Sequence, residues 1–103
     1  MKLTISDLAQ LQISQTASYL QWRNGRDSMR KFLATVRKVK RLLRQHPNLG
    51  APEQLLSDIP GCYRSIVVTP YNKMIYTIVD DSIKVVDFWD TRRDPSMLAI
   101  EVK

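Results

Sequence analysis

With 103 residues, 44% hydrophobic and 25% charged, the chain suits one core burying roughly 65% of the surface that its unfolded form exposes. Two cores would not fit. A single cysteine, Cys62, and a single histidine, His46, exclude an internal disulfide and a zinc site built from Cys or His clusters. No run approaches the roughly 18 apolar residues of a membrane span.

Sixteen Lys/Arg against ten Asp/Glu give a net charge of +6, and the excess is local. Residues 23–44 hold nine cations, among them Arg37, Lys40, Arg41 and Arg44, against Asp27 alone. A stripe of this density attracts nucleic acid, an acidic partner or an anionic surface. A solvated helix face carries the same pattern. Met1–Asp7 lacks the apolar stretch of a secretory signal, so a reducing cytoplasm is the expected compartment.

In chain order, Met1–Ile5 reads as a short edge strand, with Ser6 or Asp7 as the N-cap of a first helix. Leu8, Leu11, Ala17, Tyr19 and Leu20 supply an imperfect apolar stripe that ends near Asn24-Gly25, where glycine permits a sharp reversal. A second helix follows with a continuous face of Met29, Phe32, Leu33, Val36, Val39, Leu42 and Leu43, opposite the basic stripe. Pro47 ends it, and the two helices form an antiparallel hairpin.

Beyond His46–Pro52, the segments Tyr63–Val68, Lys73–Val79 and Ile83–Trp89 are rich in β-branched and aromatic residues and read as strands. Thr69–Asn72 and Asp80–Ser82 have turn chemistry. The fold class is α+β, a short N-terminal strand, a helix hairpin and a three-stranded antiparallel meander, with the helices on one sheet face. A four-residue first loop and a three-residue second loop pair Arg64 with Thr77, Ile75 with Asp87 and Lys73 with Trp89. One face then carries Arg64, Lys73, Thr77, Asp87 and Trp89. The face under the helices carries Met74, Tyr76, Ile78, Val86 and Phe88.

Candidate chemistry gathers at the end of the last strand. Arg92 and Arg93, with Arg64 and Lys73 nearby and Tyr71 and Trp89 interleaved, form a surface suited to phosphates and bases. Salt bridges from the two arginines to Asp90 or Asp94 are the alternative. Asp87 and Asp90, three apart along a strand, face opposite ways and form no acid–base pair. Cys62 and His46 are too far apart in the chain to suggest a nucleophilic pair, and three glycines make no phosphate-cradling loop.

The element order, Pro47-x-Leu49-Gly50 after the second helix, and the run Tyr63-Arg64, Tyr71-x-Lys73-x-x-Tyr76, Asp80-Asp81-x-Ile83-x-Val85, Arg92-Arg93-Asp94-Pro95 resemble the RelE/ParE superfamily. Its members are the toxins of type II toxin–antitoxin (plasmid stabilisation) modules. The resemblance spans residues 1–103 as a single toxin domain, and implies growth arrest without metal or cofactor. RelE-like members cleave messenger RNA on the ribosome, and the matching positions here are Arg64, Lys73 and Arg93, with Trp89 or Tyr71 to stack on a base. Ile66 and Val67 stand where a further lysine is frequent, and no Tyr or His follows Arg93. ParE-like members instead bind DNA gyrase, and that branch is the main expectation. Both branches imply an adjacently encoded antitoxin, with the basic stripe as one landing surface and operator DNA left to the antitoxin.

Overall fold

The structure, a computed structural model, describes residues 1–102. Strand β1 (Lys2–Ile5) leads into α1 (Asp7–Asn24), and the N-cap Ser6 Oγ accepts a hydrogen bond from the Ala9 amide at 3.1 Å. Gly25, at φ 94°, both ends α1 and starts α2 (Arg26–Gln45). Its amide donates to Gln21 O and its carbonyl accepts from Met29 N, so one residue with access to positive φ makes the whole reversal. The chain continues as β2 (Ala51–Pro52), a 3-10 turn (Gln54–Leu56), β3 (Tyr63–Thr69), β4 (Asn72–Val79), β5 (Ser82–Asp90) and α3 (Ser96–Val102).

The five strands form one sheet in the order β1-β5-β4-β3-β2, antiparallel except for the parallel β1–β5 pair. The meander and the N-terminal edge strand are as expected. The helix pair packs on one face, where Phe32, Val36, Val39 and Leu43 of α2 meet Met74, Tyr76, Ile83, Val85 and Phe88. On α1 the buried set is Ala9, Ile13 and Ala17, so that of the expected stripe Ala17 and Leu20 face the core while Leu8, Leu11 and Tyr19 do not. Leu11 and Tyr19 are exposed at 53% and 55%, because the small side chains of Ala9 and Ala17 mark the face that approaches the core closely. β1 covers β5 only from Ser82 to Val85. Past that point α1 guards the edge: Ser6 Oγ donates to Val86 O, and Gln12 Oε1 accepts from the Phe88 amide at 2.8 Å.

Two bulges correct the expected register. Val79 pairs with Ser82 around a two-residue turn, Asp80-Asp81, whose φ values of 51° and 61° fit a type I′ hairpin. The shorter turn shifts the pairing by one residue. An irregularity opposite Ile75/Tyr76 then restores it, so Ile75–Asp87 and Lys73–Trp89 pair as expected while Tyr76 faces Val85. Val86 consequently leaves the helix-covered face and packs in the second core. The other bulge, between Val67 and Thr69, pairs Arg64 with Tyr76 rather than Thr77. Arg64 thereby moves to the face opposite Lys73.

The second sheet face is covered rather than open. Leu56 and α3's Leu98 bury Ile75 and Trp89 there, with Ile59, Tyr63, Val86, Ala99 and Val102 around them. The start of α3 has its own signal. Asp94 Oδ1 accepts from the Ser96 amide at 3.1 Å and hydroxyl at 2.9 Å, with Pro95 in the first-turn position that needs no N–H.

The segment between α2 and β2 is tied down by Tyr76, fully buried in β4. Its hydroxyl donates to Pro47 O at 2.7 Å and accepts from the Gly50 amide at 2.9 Å, and Arg64 Nη1 donates to Gly50 O at 2.6 Å. A Cβ on Gly50 would lie 2.7 Å from Ser65 O and 2.8 Å from the Tyr76 ring. We expect Tyr76→Phe to cost about 1–3 kcal/mol in urea denaturation, since it orphans a buried amide and a carbonyl. Gly50→Ala is expected to destabilise too, because backbone rather than a flexible side chain must yield; wild-type midpoints for both would refute the clamp.

Candidate functional site

The residues expected to act together lie at the end of the sheet where β4 starts and β5 finishes. Asp90, the last residue of β5, accepts from Arg92 Nε at 3.0 Å and Nη2 at 2.8 Å, and from the Arg92 amide at 2.9 Å. The Arg92 guanidinium also lies 4.4 Å from the centroid of the Tyr71 ring. Hydrogen bonding to Arg92 is the main reason that the Asp90 carboxyl is held below its ordinary range. The Asp90 bond is likewise the main influence raising Arg92.

Arg93 turns the other way. Its guanidinium stacks 4.7 Å from the centroid of Trp89, and Nη2 donates to Glu101 of α3 at 2.5 Å. Lys73 forms an ion pair with Glu53, whose other oxygen caps the 3-10 turn by accepting from the Leu55 amide. Glu53 is only 6% exposed. Arg64 lies on the opposite face, donating to Gly50 O. Arg64, Lys73 and Arg93 therefore serve three separate contacts: Lys73 and Arg93 sit at one end of the covered face, each with its own acid, and Arg64 lies on the other face.

Trp89 is 1% exposed, so the expectation that its ring stacks on a base fails; its ring is spent on the second core and on Arg93. Tyr71 is 54% exposed and keeps an accessible ring. Arg37, Arg41 and Arg44 are exposed on the outer face of α2, with Lys40 half-buried beside them. Among the described residues none of the four joins a salt bridge. Sequence reasoning missed Glu53 and Glu101, the partners of Lys73 and Arg93. The Asp94-Pro95-Ser96 start signal, followed by Leu98, Ala99 and Val102, was the available sign of α3.

Beneath α3 sits a second unexpected feature. Asp87 is fully buried and neither carboxyl oxygen has a donor. Burial, then hydrogen bonding and repulsion from Glu101, push it up from 3.8 to about 7. Glu101 moves the opposite way: against burial, its bonds with Asp87 and Arg93 hold it below the usual range. One proton shared between two carboxyls accounts for both directions. No group of three or more His, Cys, Asp or Glu among the described residues is placed to hold a metal ion.

Comparison with known proteins adds a lineage to this geometry. The family model for the ParE toxin of type II toxin-antitoxin system, parDE, matches residues 3–95. No curated protein matches the chain. Among solved structures, the chromosomal ParDE toxin–antitoxin system from P. aeruginosa includes a chain similar at TM-score 0.72 and 16% identity, over 87% of this chain and 95% of that one. The YoeB dimer from Staphylococcus aureus is similar at TM-score 0.57 and 22% identity, over 85% of this chain and 93% of that one. The YoeB–YefM complex from Staphylococcus aureus gives 0.54 and 23% over the same shares, 85% and 93%. At these identities the likeness to solved structures is one of fold.

The raised Asp87 predicts a pH dependence of stability. Between its unfolded value of 3.8 and its folded value of about 7, the folded state holds a proton that the unfolded chain has lost. The contribution of Asp87 is therefore fully present below the unfolded value, declines as pH rises through that window, and is gone above it. Glu101 acts oppositely, stabilising above its unfolded value and failing as pH falls through the depressed one. Asp87→Asn is expected to flatten the decline between about pH 5 and pH 7.5 in denaturant titrations. An unchanged slope would remove Asp87 as its source.

Proposed function

Because the chain belongs to the ParE toxin family of type II toxin–antitoxin systems, we propose that it arrests growth by binding DNA gyrase and trapping it on cleaved DNA. The observation that carries this reading is that all three candidate cations are already engaged by partners within the fold. A ribonuclease of the RelE kind needs cationic groups focused on one phosphate as charge develops. Here Lys73 is neutralised by Glu53, Arg93 by Glu101, and Arg64 binds backbone on the other face. An inhibitor that works by occupation has no such requirement, and the helix hairpin and C-terminal segment supply contact surface.

A cognate antitoxin, encoded beside the toxin, is the second half of the proposal, and the cytoplasm is where both would act. The outer face of α2 is a cationic surface without internal partners, suited to an acidic antitoxin segment. Among the described residues no helix is long and apolar enough to cross a membrane, and no membrane partner is invoked. Operator recognition is assigned to the antitoxin.

Two measurements test the pair of claims. Purified toxin is expected to inhibit gyrase supercoiling and to leave messages intact in a translating extract. Codon-positioned cuts with unaffected supercoiling would replace this reading with the ribosome-dependent ribonuclease. For the antitoxin, replacing Arg37, Lys40, Arg41 and Arg44 with serine should weaken binding and flatten its dependence on salt. Equal affinity at every ionic strength would remove the stripe from the interface.

A further inference from the structure

A cleft of about 510 Å³ opens between the C-terminal half of α1 and the β3–β4 turn, within the roughly 300–1,000 Å³ typical of ligand pockets. Tyr19 and Tyr71, each more than half exposed, line it from α1 and from the turn, and Arg23 and Arg92 complete its polar lining. No carboxylate lines it. Trp22, 79% exposed, stands beside Tyr19 with ring centroids 6.2 Å apart. A second groove, sharing Thr16, Tyr19, Asn72 and Arg92, continues it along the outer half of β5.

Three large rings left in water are costly unless something covers them. The rings belong to α1 and to a turn that is itself fixed, since the Thr91 amide and hydroxyl both donate to Tyr71 O, at 2.8 and 3.3 Å. Asp90 holds Arg92 by Nε and Nη2, which leaves Nη1 without a hydrogen-bond partner among the described residues. Flat π faces beside guanidinium groups, in a cleft with no carboxylate of its own and with Asp90 of the adjoining groove already paired to Arg92, match a planar base joined to a phosphate. An acidic peptide would satisfy the arginines but leave the ring faces without stacking partners. A base must leave its duplex stack to lie on a tyrosine, so the match is to a single strand.

We propose that the cleft between α1 and the β3–β4 turn binds single-stranded nucleic acid without sequence preference, its bases stacking on Tyr19 and Tyr71 and its phosphates held by Arg23 and Arg92. This goes beyond inhibition of gyrase and does not depend on it. It is also distinct from operator recognition, which reads base edges in a groove.

The test is fluorescence anisotropy of labelled eight-nucleotide oligothymidine and oligouridine (about the site size of one stacking domain), against a duplex and poly-glutamate, at low salt. Both single strands are expected to bind more tightly than the duplex and poly-glutamate, the tighter of the two identifying DNA or RNA as the preferred source. Tyr19→Ala with Tyr71→Ala should weaken binding at least about tenfold, while Tyr19→Phe with Tyr71→Phe should retain it, because stacking needs the ring and not the hydroxyl. Trp22 emission should fall on binding, whereas Trp89 is buried and should not respond. No single-strand binding at low salt overturns the proposal, as does binding that survives loss of both rings. Equal competition by poly-glutamate would hand the cleft to an acidic peptide instead.

Discussion

Two carboxylates decide what the far side of this sheet is. Lys73 and Arg93 project from one end of the meander, and each covering element brings an acid to meet one of them: Glu53 at the head of the 3-10 turn, Glu101 on α3. Without those acids, closing the face would bury or crowd positive charge without compensation, which a small core tolerates poorly. With them, Leu56 and Leu98 seal Ile75 and Trp89 from water. The toxin fold therefore has two cores on either side of one sheet. The outer core is small, and its charges are matched in place.

Asp87 shows the limit of that matching. It faces the same covered side, yet its oxygens receive no donor. Arg93 is drawn to Glu101 and Gln12 donates to that same carboxylate, with Gln12 Oε1 already committed to the Phe88 amide. Protonation is the remaining way to hold a carboxyl there, and the neighbouring Glu101 supplies an acceptor for the proton. The arrangement ties the C-terminal helix electrostatically to β5 as well as by packing.

The broad architecture was legible because it rests on period and punctuation. Gly25 and Pro47 bound α2, the α2 face repeats at helical spacing, and the three later strands are β-branched runs between turns. What escaped was set by single residues acting at a distance. The Val67/Thr69 bulge reverses the facing of Arg64, and a two-residue turn with a compensating bulge moves only Val86. Neither leaves a mark in composition. From sequence Trp89 reads as part of a binding surface, because nothing near it suggests a cover. Its cover is α3, a helix of seven residues that announces itself only by Asp94-Pro95-Ser96. Tyr71, by contrast, keeps an accessible ring, since it sits at a turn that the fold leaves outside.

The reversal at Gly25 has a geometric corollary. Since one residue serves as the end of one helix and the start of the next, the azimuth of α2 is keyed directly to that of α1, with no slack loop to absorb error. A single inserted residue there would turn everything downstream by about 100°. Phe32, Val36 and Val39 would swing off the sheet, and the arginines of the opposite side would roll inward. The placement of the eight cations of α2 is thus phased by one glycine that carries no charge at all.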